Sequence, residues 1–244
     1  MSRQKSFKFT SEESVESPAV EKKAPGKKPT SMGKCFLCNG VFAKAAMTRH
    51  LAACRQAAAT GKKMTPAFHL VVEGGYRGAY WLHVAVPVDA TLAKVDSFLR
   101  HAWLECCGHM SMFLIDGAQY VSGGAADLDA RSMNFAVSRL MDVGSQFRYE
   151  YDFGSTTELR MKVVGIRQME VVRGAVSLLA QNDAPQIACD QCGEGSVATQ
   201  TCSNCIWEGG GWLCGKCSRT HGCGEEMMLP VVNSPRVGVC AYTG

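Results

Sequence analysis

The chain predicts an α+β protein: a central mixed domain with an antiparallel sheet and one main helix, flanked by two small cysteine-rich modules. Three observations predict it. Residues 64–180 have globular composition, with short strand-like runs separated by glycines and apolar/polar alternation over 147–153 and 159–163. A single long segment there keeps helical spacing. Most of the thirteen cysteines gather toward the two ends. The expected organisation is a basic disordered tail over 1–34, one cysteine module over 35–63, the α+β domain over 64–180 and a second cysteine module over 181–244.

The net charge of +4 is unevenly spread. Residues 1–63 hold thirteen Lys/Arg against four acids, residues 64–188 ten against thirteen, and residues 189–244 three against five. An acidic partner is therefore expected at the N-terminal quarter. The opening residues, MSRQKSFKFTSEESVES, lack the apolar centre of a secretory signal. No apolar run approaches the ~20 residues that span a bilayer. The expectation is a cytoplasmic protein with no membrane partner, in a reducing setting where thiolates serve as metal ligands.

Residues 1–34 are polar, with Pro18, Pro25 and Pro29, and hold too little apolar surface to offset chain entropy. Cys35 and Cys38 then form a Cys-x2-Cys knuckle, Asn39-Gly40 a turn, and Ala43 to about Ala59 a helix former. His50 and Cys54, four apart, share one helical face and complete a tetrahedral set. Phe42 and Met47 supply apolar filling. This pattern resembles a ββα zinc finger of the Cys-Cys-His-Cys type, one residue shorter than usual between the second and third ligands. The resemblance places Ala43, Ala46 and Arg49 toward bases, and alanine offers only methyl contacts. Lys44, Arg49, Arg55, Lys62 and Lys63, with no acid between residues 35 and 63, suit phosphate contacts instead.

In the middle domain, AFHLVVEGG and YWLHVAVP read as strands. A helix from about Ala90 to Cys106 buries Leu92, Val95, Leu99, Trp103 and Cys106. Residues 109–115 and 119–121 make a hairpin turning on Asp116-Gly117. A short helix is expected over 135–143, stopped by Gly144. Phe147, Tyr149, Tyr151 and Phe153 alternate with Arg148, Glu150 and Asp152 in a half-buried strand, and Leu159, Met161 and Val163 repeat the pattern. Glu150 and Asp152 share its polar face, with Asp127 and Asp129 in a nearby loop. Those four carboxylates are the one arrangement that would suit a metal-dependent nuclease, but solvated and turn-forming acids explain them as well. His101, Cys106, Cys107 and His109 are read as non-ligands, because Cys106 falls on the apolar helix face.

The segment FRYEYDFGS, after a helix, an acidic-glycine hairpin and a second short helix, resembles the Ri-plasmid open-reading-frame-three-like family, also filed as transposon passenger proteins. The likeness covers about residues 66–170 and is most specific at Tyr151-Asp152-Phe153-Gly154. It implies an α+β fold and an association with mobile elements, but no settled activity. The family continues with acids, a Trp and a His. This chain has Ser155, Thr156, Thr157, Glu158 and Leu159 instead.

Gln181 to Pro185 reads as a linker into CDQCGEGSVATQTCSNCIWEGGGWLCGKCSRTHGC. Cys189/Cys192, Cys202/Cys205 and Cys214/Cys217 are three Cys-x2-Cys pairs, followed by His221 and Cys223. Eight ligands in this spacing are enough for two four-coordinate zinc sites. The stretch resembles a B-box-type module, whose sites interleave. Carried over, that groups Cys189, Cys192, Cys214 and Cys217 in one site and Cys202, Cys205, His221 and Cys223 in the other. A sequential grouping is the alternative, and Cys240 could stand in for Cys223. Trp207 and Trp212 are expected against the knuckles. The last residues read as a strand, a turn at Asn233-Ser234-Pro235 and another short strand, returning to the middle domain.

The chain therefore reads as a three-zinc binding protein without assigned catalytic residues. It would meet nucleic acid or an acidic partner through residues 1–63 and a protein through its C-terminal module. A protein-only adaptor and a metal-dependent nuclease are the alternatives.

Overall fold

The computed structural model describes residues 31–54, 64–75, 78–123, 130–170 and 175–244. The first 30 residues, residues 55–63 and Asp127 and Asp129 lie outside this set, and with them Arg55, Lys62 and Lys63.

The strands run β1 (Met32–Cys35), β2 (Val41–Ala43), β3 (Met64–Gly74), β4 (Tyr80–Pro87), β5 (Ser111–Ile115), β6 (Ala118–Val121), β7 (Arg131–Ser132), β8 (Gln146–Tyr151), β9 (Thr157–Glu170) and β10 (Ser177–Asn182). They form a ten-stranded sheet in the order β2-β1-β10-β4-β3-β9-β8-β5-β6-β7. Neighbours pair antiparallel throughout, except β6 with β7. The protein is thus α+β, but richer in strand than one helix on a small sheet.

Helix α1 (Lys44–Ala53) and helix α2 (Leu92–Leu99) cover opposite faces of this sheet. Every residue of β4 is buried, because both faces are covered. On one face Leu92, Val95, Leu99 and Trp103 pack with Leu70, Val72, Leu82, Val84 and Val86. On the other, Met47 and Leu51 of α1 pack with Ala67, Trp81, Ala85 and Leu179. Gly33 makes that docking fit: a Cβ there would collide with the Gln181 carbonyl and the Trp81 ring.

Several expectations change in detail. Strand β1 begins at Met32, inside the segment expected to be tail. Helix α1 stops at Ala53, because Cys54 turns extended toward Cys35. Its last carbonyls are met by Arg167, which donates to the Leu51 and Cys54 oxygens at 3.1 and 2.7 Å. Helix α2 ends sooner than expected and widens into a π-turn over Arg100–Leu104, so Cys106 lies beyond the helix, half-buried against the main core. Gln181 and Asn182 close strand β10 instead of opening a linker.

The hairpin at Asp116-Gly117 forms as expected, with both residues at positive φ, 48° and 79°. The segment over 135–143 is one 3₁₀ turn, Val137–Arg139. Phe153 is 50% exposed, because the backbone at Asp152 turns left-handed (φ 65°) and breaks the alternation.

Beyond the main sheet, β11 (Ala188–Cys189) pairs with β12 (Gly193–Val197). Strand β13 (Gln200–Cys202) sits between β14 (Trp212–Leu213) and β15 (Met228–Pro230). The chain then returns to the middle domain in turns, not in the second strand expected. Asn233 Nδ2 donates to the Asn182 carbonyl (2.7 Å), Ser234 Oγ donates to the Trp103 carbonyl (2.6 Å), and Val237 enters the main core. Among the described residues, no helix is long and apolar enough to cross a membrane.

Candidate metal centres

Two thiolates 2.3 Å from one zinc ion at a tetrahedral angle stand about 3.8 Å apart, and a thiolate and an imidazole nitrogen about 3.5 Å. A disulfide would bring two sulfurs to about 2.05 Å. The thirteen cysteines are all free thiols, and every one belongs to one of four clusters. In each cluster the ligand atoms lie within 4.8 Å of one another.

The first cluster is Cys35, Cys38, His50 and Cys54. The knuckle closes through backbone bonds from the Cys35 amide to the Gly40 carbonyl and from the Asn39 amide to the Cys35 carbonyl, both 2.8 Å. Asn39 takes the left-handed conformation (φ 62°) this requires. Sulfurs of Cys35 and Cys54 are 4.0 Å apart, and Cys38 Sγ is 3.3 Å from His50 Nε2. Phe42 stacks on the His50 ring at 4.1 Å between centroids, which fixes its direction.

The C-terminal module holds two clusters, and they interleave: Cys189, Cys192, Cys214 and Cys217 in one, and Cys202, Cys205, His221 and Cys223 in the other. Cys192 Sγ lies 3.3 Å from Cys217 and 3.9 Å from Cys214. Cys205 Sγ lies 3.5 Å from His221 Nε2 and 3.7 Å from Cys223. Cys223 therefore takes the eighth place, and Cys240 does not substitute for it. Trp212 packs against the main core, while Trp207 is 61% exposed and does not cover a knuckle.

Electrostatics within the module favour a cation. The Cys214 backbone amide, helped by those of Cys192 and Gln191, pulls the Cys189 thiol down to about 6. At Cys202 burial works the other way, yet the amides of Cys205 and Asn204 prevail and bring it to about 7. Cys205 and Cys217 are pushed up to about 12 by the thiols that face them. Backbone amides prepare Cys189 and Cys214 as thiolates in one site and Cys202 in the other, and crowding resists the next. A bound divalent cation removes that resistance.

The fourth cluster is Cys106, Cys107, His109 and Cys240, which by sequence alone read as non-ligands or as a spare. His101, read with them as a non-ligand, is exposed and stands outside the cluster. A Cys-Cys-x-His run is visible locally, but its fourth member comes from the far end of the chain. By sequence Cys240 is offered only as a stand-in for Cys223, so nothing there links it to the Cys-Cys-x-His run.

The carboxylates expected to share a strand face do not do so. Asp152 is buried and accepts a 2.7 Å bond from Arg236, which is itself fully buried. Burial alone would raise the Asp152 carboxyl, but Arg236 and the amides of Ser155 and Gly154 hold it below the usual range. Glu150 instead faces Glu158 across β8 and β9. At the basic surface, Lys44 pairs with Glu73 at 2.7 Å, while Arg49 is exposed.

No family model and no curated protein matches the chain. Among solved structures, a protein of unknown function from Methanosarcina mazei Go1 aligns over 48% of this chain and 68% of its own, at 18% identity and a TM-score of 0.40. Likeness at that level says nothing about function.

Proposed function

We propose that this is a zinc-organised binding protein of the cytoplasm, in which closed metal sites build the surfaces that partners meet. The observation that carries this reading is the set of clusters with four protein ligands each. Such sites leave no open position for water, so they serve architecture before catalysis. Soft thiolates in three or four of the four places select zinc over harder cations. Zinc at the first cluster and at the two in the C-terminal module gives the three ions expected from spacing alone.

The partner at the basic end is nucleic acid or another polyanion, held through phosphates. Met47 and Leu51 are committed to the sheet, so α1 offers the opposite face, where Ala45, Arg49 and Ala52 are exposed. Two small apolar side chains and one arginine suit backbone contact better than base readout. Lys44 is already paired, which leaves Arg49, Arg55, Lys62 and Lys63 as the contact set. The resemblance of residues 66–170 to transposon passenger proteins would place this binding in the setting of a mobile element. A protein partner at the mildly acidic C-terminal module completes the reading.

Charge reversal at Arg49, Arg55, Lys62 and Lys63 tests the polyanion claim without removing β1 and β2, which the sheet needs. Binding of wild type to a DNA or RNA duplex should weaken steeply with salt, with a log–log slope of about −3.6 for four neutralised phosphates. The reversed protein should lose both affinity and slope. Salt-insensitive binding, or equal binding by both proteins, would sink the claim. A protein partner retained after nuclease treatment, with no duplex binding at low salt, would favour the protein-only adaptor.

A further inference from the structure

We propose that Cys106, Cys107, His109 and Cys240 hold a fourth zinc ion that clips the C-terminal tail to the central sheet, with the Tyr151–Gly154 segment as its support. This rests on the metal reading of the other three clusters. The geometry is that of a tetrahedral site. Cys106 and Cys107 sulfurs are 3.7 Å apart, as are those of Cys107 and Cys240. His109 Nε2 lies 2.9 Å from Cys107 Sγ and 3.2 Å from Cys240 Sγ. No sulfur pair is near bonding distance for a disulfide, and the His109 imidazole, 3.5 Å from Asp152 Oδ2, is turned into the same cluster. Three thiolates and one imidazole form a soft, four-coordinate set of the zinc type. The ion would replace three thiol protons, which pass to solvent.

The surroundings hold these side chains in place. Glu105 accepts from the Gly108 amide at 2.6 Å and from the Tyr151 hydroxyl at 3.0 Å, fixing the loop that carries Cys106, Cys107 and His109. Arg236 Nη2 donates to Cys106 Sγ at 3.5 Å and to Asp152 Oδ2 at 2.7 Å. Its other terminal nitrogen donates to the Ser155 carbonyl and Thr157 Oγ1, both at 3.1 Å. Arg100 and Arg236 each lie 4.8 Å from the centroid of the Tyr151 ring. A guanidinium bonded to one ligand sulfur and neutralised by Asp152 is the kind of outer partner that orients a metal ligand. Cys240 reaches the cluster in a left-handed turn with Ala241, at φ 51° and 53°. The Tyr151-Asp152-Phe153-Gly154 segment thereby receives Arg236 and sets the loop against which the tail closes.

Native mass spectrometry of the full chain, purified with zinc, tests this directly. Wild type should carry four zinc ions. Cys240→Ser and His109→Gln should each carry three, and His101→Asn should keep four. His109→Gln leaves the tail sequence intact and so guards against a misfolded Cys240→Ser protein. Three ions in wild type, or four retained in both cluster variants, would overturn the fourth site and leave the other three standing. Three ions with a mass lower by one hydrogen pair would overturn it in favour of a disulfide. A count of zero would overturn the metal reading altogether.

Discussion

The C-terminal module and the Cys106–Cys240 cluster use the same ligands to different ends. In the module, eight ligands fall within thirty-five residues, and its strands are two to five residues long. So small a unit has little apolar core of its own, and metal binding supplies folding free energy directly. The Cys106–Cys240 cluster sits instead on a ten-stranded sheet with a large core, and its ligands come from segments 131 residues apart. There metal would join two parts that are already folded. The difference teaches that identical coordination can be a folding requirement in one place and a fastening in another.

The largest effect should follow from Cys202→Ser. Structural zinc in small modules contributes roughly 10–16 kcal/mol of apparent binding free energy. Hydrogen exchange should then show protection lost across residues 198–230, while β3, β4 and β9 keep theirs. Loss of protection in the central sheet as well would break the comparison. Next comes Arg236→Leu, which removes the guanidinium bonded to the buried Asp152 carboxylate and leaves it the amides of Ser155 and Gly154 and, at 3.5 Å, His109 of the fourth cluster. Denaturant unfolding should show about 3–5 kcal/mol lost, larger than expected for either fourth-cluster ligand alone. A change below about 1 kcal/mol would mean that the Arg236–Asp152 pair does not hold the tail.

The two remaining tests concern the central sheet, which should respond without metal. His69 and His83 are buried under α1, with Nε2 of His69 2.9 Å from Nδ1 of His83. Burial, then Arg167, lowers His69 to about 4, and burial, then His69 and Lys44, lowers His83 to about 3. The unfolded chain takes up protons near 6.5 that the folded one refuses. Stability from this pair is therefore full above about 6.5 and falls as pH drops through about 4 toward about 3. Ring-proton resonances of both should stay at their neutral positions from about pH 7.5 to about pH 5, and movement near 6.5 would refute it. The smallest effect belongs to Lys44→Ala: its pair with Glu73 is partly exposed on both sides and should be worth about 0.5 kcal/mol in thermal unfolding.

What the sequence reveals follows the same division. Period-two alternation marks β8 and β9, apolar runs bounded by glycines mark β3 and β4, and Cys-x2-Cys spacing marks three clusters, because each signal lies within one short stretch. The interleaved grouping in the module was one of two alternatives that spacing leaves open. Nothing local says that β1 will pair with β10, which docks the finger-like segment onto the sheet rather than leaving it free. Nothing local assigns Cys240 to Cys106, Cys107 and His109, or Arg236 to Asp152. Those contacts depend on the path of the tail across the sheet, and the left-handed turn at Asp152 that permits them appears in the sequence as one more alternating residue.

Cysteine-by-cysteine alkylation of the native protein, read by mass spectrometry before and after chelation, tests the division of thiols most directly. Four closed sites predict that all thirteen cysteines are protected until a chelator is added, and then react. Free reaction of Cys106, Cys107 and Cys240 while the other ten stay protected would contradict it.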